Sequence, residues 1–256
     1  MVDLGSGPPL VLIPGIQGRY EWMEPTIRAL AREFRVIAAS LPGERGSIVS
    51  PNGHHGFDGY VEYVDALLDA KNIPSAVICG ISFGGLIALR YAARRPERVR
   101  ALILASTPGP NWKPDPYQER YIKRPILSSP FFVVRAIYHL WRELRVTYPA
   151  LIDRVRFCAG ASGRIIMAPA APWRIGSRAQ MATAERFDLD CASIKAPTLV
   201  VTGEEDLDRV VRQADSIGYV AAIDGARFHV FDRTGHLGTI SAPERFTTIV
   251  SNFLNG

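Results

Sequence analysis

Short apolar runs alternate along most of the chain with longer segments in which apolar residues recur every three or four positions. The first pattern is typical of buried strands and the second of amphipathic helices. The predicted strands cover residues 9–13, 35–39, 75–79, 99–104, 198–202 and 227–231. Strands that alternate with helices predict a mostly parallel sheet with helices on both faces, and therefore an α/β fold.

This alternation stops after residue 109 and resumes at residue 197. Between these positions the chain is helix-like and interrupted by prolines, which predicts a helical cap over 110–196 inserted into a core formed by 1–109 and 197–256. Its large apolar residues at helical spacing are Phe131, Phe132, Ile137, Leu140, Trp141 and Leu144. We expect most of them to pack against the core, and some to line a pocket between cap and core.

Length and composition agree with this organisation. A chain of 256 residues with 47% hydrophobic content fits one large α/β domain with an insertion better than two independent domains. No uninterrupted apolar segment approaches the roughly 20 residues of a membrane span, and the N-terminus lacks a basic region followed by an apolar core. The cysteines at 79, 158 and 191 suggest neither a disulfide framework nor a zinc site. These features predict a soluble, cytoplasmic protein without stable membrane insertion.

The net charge of +5 is concentrated in the predicted cap. Residues 112–187 contain 13 Lys or Arg and 5 Asp or Glu, a local net charge of +8. Basic helices usually present a solvated face, and attraction of an anionic substrate or membrane surface is the alternative. Nucleic-acid binding is not expected, because no recognition motif accompanies the charge.

One apolar run ends in a serine flanked by glycines. The strand at 75–79 leads into Gly80-Ile81-Ser82-Phe83-Gly84, and from Ser82 onward the apolar spacing becomes helical. In this G-x-S-x-G motif the glycines remove side chains that would collide with neighbouring elements. The motif predicts a strained strand-to-helix turn that exposes the Ser82 hydroxyl above the sheet. The alternative is a serine that only caps the helix.

A serine hydroxyl needs a base to take its proton and an acid to orient that base. His236 follows the strand at 227–231, and Asp206 follows the strand at 198–202. Because the C-terminal ends of parallel strands share one edge of the sheet, Ser82, Asp206 and His236 can converge there. The same loop holds acidic rivals of Asp206, each of which could instead be surface charge: Glu204, Glu205 and Asp208.

The other histidines are not assigned chemistry. His54 and His55 lie in a glycine-rich loop over 41–57 and are expected to be structural or exposed. His139 and His229 belong to predicted regular elements.

The motifs follow one another in an order that resembles a known family. The matching segments are Gly5 to Pro9, Pro14 to Gly18, Gly80 to Gly85, Pro197 to Asp206, Gly235-His236 and Pro243 to Phe246. Over essentially its whole length the chain resembles an α/β-hydrolase of the capped serine esterase and lactonase type, whose triad occurs in the order Ser, Asp, His.

The resemblance implies a role for each matching residue. Ser82 would be the nucleophile, His236 the general base and then acid, and Asp206 the residue that holds the imidazole tautomer. The backbone N–H groups of Phe83 and Ile16 would form the oxyanion hole, each donor being worth on the order of 3 kcal/mol. Neither a metal nor an organic cofactor is implied.

The chain also departs from the family pattern. Pro14 stands where a histidine commonly precedes the oxyanion glycine, so the loop carrying Ile16 must be braced in another way. Leu41 stands where many relatives have aspartate. The usual N-terminal hairpin is missing, which predicts about six parallel strands and a sheet edge that a homodimer partner could cover.

The activity that the resemblance implies is hydrolysis of a carboxylic ester, lactone or thioester through an acyl-enzyme. The substrate would be a small apolar molecule that could carry an acidic group. Carbon–carbon bond hydrolysis, acyl transfer and perhydrolysis use the same residues and stay open. A function of another class also stays open, that of a ligand-binding, receptor-like homologue with little turnover.

Overall fold

The structure of the chain is a computed structural model that describes residues 1–47 and 56–256. His54 and His55 lie outside the described residues. Within the described part, a single sheet runs through the core, and helices pack on both of its faces.

The sheet has seven strands within the described residues: β1 (Val2–Leu4), β2 (Pro9–Ile13), β3 (Arg35–Ala38), β4 (Ala76–Ile81), β5 (Val99–Ala105), β6 (Thr198–Gly203) and β7 (Arg227–Phe231). Their order across the sheet is β1-β3-β2-β4-β5-β6-β7. Strands β2 to β7 run parallel to one another. The prediction of a mostly parallel α/β sheet is confirmed.

The N-terminal edge of the sheet differs from the prediction of about six strands. Strand β1 pairs antiparallel with β3 and adds a seventh strand where the sequence predicts an uncovered edge. Asp3 lies 2.9 Å from Arg35 and 3.0 Å from Lys71, so ion pairs help to hold this short strand. Its three residues are too few for apolar alternation, which needs a run of about four or more, to be recognised.

The described residues form the helices α1 (Glu24–Leu30), α2 (Gly59–Asp69), α3 (Phe83–Arg94), α4 (Pro116–Lys123), α5 (Pro125–Thr147), α6 (Leu151–Met167), α7 (Pro172–Thr183), α8 (Phe187–Cys191), α9 (Gln213–Ala222), α10 (Gly238–Ser241) and α11 (Pro243–Asn255). None of them is both long and apolar enough to cross a membrane.

Alternate strand residues point to opposite faces of the sheet, which builds two core layers. On one face, Val11 and Ile78 pack with residues of α2, α3 and α9. On the other face, Leu12 and Cys79 pack with residues of α1 and α11. Because the central strands are covered on both sides, only their ends are free to carry polar chemistry.

Helices α4 to α8 lie between β5 and β6, in the segment that the sequence assigns to a cap. We refer to this segment, residues 110–196, as the insertion. Leu144 of α5 is buried, whereas Phe131 of the same helix is 70% exposed. Packing against the core therefore does not explain every apolar position along α5.

Candidate active site

Ser82 stands between the end of β4 and the start of α3. Its backbone has φ 55° and ψ −122°, a conformation that residues with a side chain rarely adopt. Such strain costs of order 1–3 kcal/mol and persists only where the surrounding structure enforces it. The side chain makes no capping hydrogen bond to α3. The geometry is therefore that of a strained strand-to-helix turn with a half-buried serine, and not of a helix cap.

Two glycines allow this turn to close. A Cβ atom on Gly80 would lie 2.2 Å from the carbonyl oxygen of Gly84, and one on Gly84 would lie 2.3 Å from the carbonyl oxygen of Ile13. Both distances are far inside van der Waals contact, so a side chain at either position would force α3 away from the sheet. Close backbone packing at these two glycines thus helps to hold Ser82 in position.

Ser82 lines a cavity of about 310 Å³ between the edge of the sheet and the insertion. His236 lines the same cavity, so the structure brings the predicted nucleophile and base together. The remaining lining is mostly apolar, and helix α5 contributes Ile137, Leu140, Trp141 and Leu144 to it. These four residues account for most of the apolar stripe that the sequence places on the cap.

The acid beside His236 is Asp208. Its Oδ2 atom lies 3.4 Å from Nδ1 of His236, and neither atom has a hydrogen-bond partner elsewhere among the described residues. Asp206, the acid predicted from the sequence, is 91% exposed and lies 3.7 Å from Arg209 at the surface. The structure therefore places Asp208, and not the predicted Asp206, beside His236.

The reason for this placement lies in the loop after β6. Strand β6 ends at Gly203 and helix α9 begins at Gln213, so residues 204–212 form the loop. Within it, Oδ1 of Asp208 accepts the N–H groups of Val210 and Val211 at 3.0 and 2.9 Å. These bonds turn the chain and fix the buried carboxylate. Another acidic candidate, Glu204, accepts the N–H of Arg233 at 2.6 Å.

The surroundings of His236 favour its protonated form. Burial acts to lower the pKa of the imidazole, but the negative charges of Asp208 and Glu143 outweigh it, so the pKa is raised above its ordinary value of 6.5. A base that must accept a proton from a serine gains from neighbours that stabilise the resulting cation.

The backbone of both predicted oxyanion donors runs close to Ser82. Phe83 is the first residue of α3, where N–H groups have no acceptor within the helix. Ile16 follows Gly15, and a Cβ atom on Gly15 would lie 3.5 Å from Cβ of Ser82. The segment after β2 is therefore packed directly against the serine.

A buried arginine of the insertion braces the loop that contains Ile16. Arg178 of α7 donates from Nη1 to the carbonyl oxygen of Ile16 at 3.0 Å and from Nη2 to that of Pro42 at 3.2 Å. Its Nη2 also lies 2.8 Å from Oε1 of Glu44, in an ion pair whose side chains are only 4% and 5% exposed. These contacts restrain the loop that contains Ile16.

A buried glutamate of the insertion contacts the loop that contains His236. Glu143 of α5 is fully buried, and both of its carboxylate oxygens accept the N–H of Leu237 at 3.0 Å. Burial raises the pKa of Glu143 to about 7, although hydrogen bonds from Leu237 and Gly235 and the charge of His236 act in the opposite direction. The carboxyl group therefore titrates near neutral pH.

Glu143 and Arg178 were not predicted as parts of the site. Each is a charged residue next to a buried apolar or small residue in the sequence, Leu144 after Glu143 and Ala179 after Arg178. A charge at such a position is almost never buried without a partner, which makes it a signal that sequence reasoning can use. The partner loop itself is distant in sequence and cannot be named from the pattern.

The three cysteines are free thiols. Burial raises the pKa of Cys79 and of Cys191 to about 12, so neither is a thiolate at neutral pH. Among the residues that the structure describes, no group of three or more His, Cys, Asp or Glu side chains could hold a metal ion.

Comparisons with known proteins identify the family. A profile described as alpha/beta hydrolase fold matches residues 8–138. The chain is 31% identical to the 2-hydroxymuconate semialdehyde hydrolase of Pseudomonas putida, over 98% of this chain and 89% of that protein. It is 27% identical to the 2-hydroxy-6-oxo-2,4-heptadienoate hydrolase of Pseudomonas putida, over 98% of this chain and 91% of that protein. The enol-lactonase from Burkholderia xenovorans LB400 superposes with a TM-score of 0.77 at 22% identity, over 100% of this chain and 95% of that chain. The chain therefore belongs to the α/β-hydrolase fold family, and it is a hydrolase.

Proposed function

We propose that this hydrolase uses Ser82 to cleave a carboxylic ester, lactone or thioester through a covalent acyl-enzyme. One observation carries the proposal: the strained Ser82 and the His236 that is paired with Asp208 converge on a single apolar cavity. Serine catalysis requires a nucleophile, a base and an acid that orients the base. In this assignment Asp208 replaces the predicted Asp206.

The reaction would proceed in two halves. In the first, Oγ of Ser82 bonds to the substrate carbonyl carbon while His236 takes its proton, and the leaving group then departs with that proton. In the second, His236 takes a proton from water, whose oxygen bonds to the acyl carbon, and the proton returns to Ser82 as the acid is released. Asp208 would hold the imidazole tautomer and stabilise the imidazolium in both halves.

The negative charge that develops on the carbonyl oxygen needs donors beside Ser82. We assign this role to the N–H groups of Phe83 and Ile16. The N–H of Phe83 lies at the start of α3, where unpaired donors and the helix dipole favour negative charge. Arg178 supports the second donor, because its bond to the carbonyl oxygen of Ile16 restrains that residue.

The cavity favours a small, largely apolar substrate that carries an acidic group. Its volume of about 310 Å³ suits a compact molecule. Arg164 of α6 lines the cavity and has no ion-pair partner among the described residues. A guanidinium group in apolar surroundings binds a carboxylate in a bidentate geometry that other groups do not match. A carboxylate on the substrate would thus be held by Arg164.

Carbon–carbon bond hydrolysis is the second candidate, and a specific observation favours it. The relative with 31% identity over nearly the whole chain is a hydrolase of 2-hydroxymuconate semialdehyde, whereas the enol-lactonase is similar in fold at 22% identity. The same serine, histidine and aspartate would serve this reaction. The two candidates differ in the bond that is broken, so a comparison of substrates separates them.

The test is a substrate panel assayed with the wild type and the Ser82→Ala variant. The panel contains p-nitrophenyl esters from acetate to decanoate, a series of lactones and an open-chain 2-hydroxy-6-oxo-dienoate. We expect an ester or lactone to turn over fastest, and a fluorophosphonate probe to label the wild type. Ser82→Ala should lower turnover by on the order of 10⁴-fold or more and abolish labelling. Ser162→Ala, which removes another serine hydroxyl that lines the cavity, should still be labelled.

Each alternative has its own result. Labelling that survives in Ser82→Ala would mean that the nucleophile lies elsewhere. Turnover of the dienoate faster than of every ester and lactone would favour carbon–carbon bond hydrolysis. Absence of both turnover and labelling, together with tight binding of a small ligand, would favour the receptor-like function.

A further inference from the structure

Glu143 reaches the loop of His236 from the insertion, whereas Asp208 reaches the imidazole from the core. Both oxygens of Glu143 lie 3.0 Å from the nitrogen of Leu237, and a Cβ atom on Gly235 would lie 2.8 Å from Oε2. The carboxylate therefore touches the chain on both sides of His236. Gly235 is the residue type that this close approach requires.

Stability alone does not account for a carboxylate at this position. Glu143 is fully buried, and no lysine or arginine pairs with it among the described residues. The charged groups that face it from the core are His236 and Asp208. A buried carboxylate without a basic partner is costly, and an apolar residue of similar size in a buried position often gives a protein that is as stable or more stable. The role of Glu143 therefore lies in its contacts with Gly235 and Leu237.

Helix α5 is attached to the core independently of Glu143. The hydroxyl of Thr147 donates to the carbonyl oxygen of Arg233 at 2.9 Å. The hydroxyl of Tyr148, directly after the helix, donates to the carbonyl oxygen of Ser241. Since these contacts dock the end of the helix without touching residues 235–237, Glu143 is not needed merely to keep α5 in place.

We propose that Glu143 is a positioning residue for His236, through which the insertion completes the catalytic geometry. It holds the loop by accepting the N–H of Leu237, and its negative charge favours the imidazolium that forms when Ser82 loses its proton. It touches no reacting atom. The inference rests on the proposed serine mechanism.

The test compares Glu143→Gln and Glu143→Leu with Thr147→Val, the wild type and Ser82→Ala. Glutamine keeps an acceptor for Leu237 but removes the charge, and leucine removes both. Thr147→Val is the matched control, because it deletes a contact between α5 and the core that does not involve residues 235–237. The measurements are the rate of fluorophosphonate labelling, kcat and KM for the best p-nitrophenyl ester, and the pH profile of kcat/KM.

The variants should differ in which kinetic property changes. Glu143→Leu should lower kcat and the labelling rate about 10²-fold with little change in KM, as expected for a base displaced by about 1 Å. Glu143→Gln should retain kcat within about tenfold and move the acid limb of kcat/KM to lower pH, because the imidazole loses a neighbouring negative charge. Thr147→Val should keep the activity of the wild type within about threefold.

Three results would overturn the inference: kcat of Glu143→Leu within about threefold of the wild type, an equal loss in Thr147→Val, or an acid limb that does not move in Glu143→Gln. The pH profile of Glu143→Gln tests the inference even if circular dichroism shows that Glu143→Leu is unfolded. A wild type that is neither active nor labelled would contradict the proposed function itself, and the inference would fall with it.

Discussion

The turn that carries Ser82 and the loops that carry His236 and Ile16 are held by different means. Backbone contacts at Gly80 and Gly84, all within the first half of the chain, hold the turn. A buried charge from the insertion holds each loop, Glu143 at the first and Arg178 at the second. The proposed nucleophile is thus positioned by the core, whereas the loops that would activate it depend on side chains distant in the sequence.

This difference in how the turn and the loops are held bears on the role of the insertion. An insertion that only covered the cavity could vary without effect on the chemistry at Ser82. Here the side chains of α5 and α7 reach past the cavity and bind the backbone of two loops of the core. Changes in these helices should therefore alter the rate of the reaction as well as the choice of substrate.

The largest expected effect separates the two aspartates of the loop after β6. Asp208→Asn should lower kcat about 10⁴-fold, because an amide no longer holds the correct imidazole tautomer. Asp206→Asn should leave kcat within about threefold, since that side chain is 91% exposed. Steady-state kinetics of both variants with one p-nitrophenyl ester provide the measurement. The reverse pattern would return the role of the acid to Asp206.

A second variant removes the brace of the Ile16 loop. Arg178→Met leaves Glu44 buried without its partner, so the free energy of unfolding should fall by about 3–5 kcal/mol, as for other broken buried ion pairs. The rate of fluorophosphonate labelling should also fall in the fraction that remains folded. Urea denaturation and labelling kinetics measure the two effects.

The control for this variant is Arg174→Met on the same helix, at a residue that is only half-buried. We expect its unfolding free energy to stay within about 0.5 kcal/mol of the wild type. Equal losses in the two variants would mean that Arg178 has no special role in holding the loop.

A third prediction concerns the free energy of unfolding and its dependence on the protonation of Glu143. Because the pKa of Glu143 is raised from 4.5 to about 7, the folded protein binds this proton more tightly than the unfolded chain does. The stability of the wild type should therefore fall as pH rises between these values, by about 3 kcal/mol from this group. Glu143→Gln should lack that part of the slope. Denaturation curves at pH 4 to 8 test it, and parallel profiles of the two proteins would contradict it.

The smallest effect is expected at the turn that the core holds by itself. Gly84→Ala places a methyl group against the carbonyl oxygen of Ile13 and should cost about 1–3 kcal/mol of unfolding free energy. The control is Gly163→Ala in α6, where a Cβ atom meets nothing within 4 Å. That change should stabilise the protein by up to about 1 kcal/mol through helix propensity. Thermal unfolding of both variants gives the comparison. A Gly84→Ala variant as stable as the wild type would show that the turn tolerates a side chain.

Much of the fold and part of the site follow from the sequence alone. The parallel sheet, its helices and the turn at Ser82 are predictable because apolar periodicity and flanking glycines act on neighbouring residues. His236 is predictable as well, since it follows a recognisable strand whose end lies at the same edge of the sheet. In each case the signal and the structure that it specifies are close together in the chain.

Tertiary structure alone decided the rest. Asp206 and Asp208 have the same side chain. They differ because the loop turns the carboxylate of Asp208 toward His236 and that of Asp206 into solvent. Glu143 and Arg178 are recognisable as unusual charges, but their partners Leu237 and Ile16 lie 94 and 162 residues away in the chain. Burial and the meeting of distant segments select among side chains that a local pattern cannot distinguish, and this selection completes the site around Ser82.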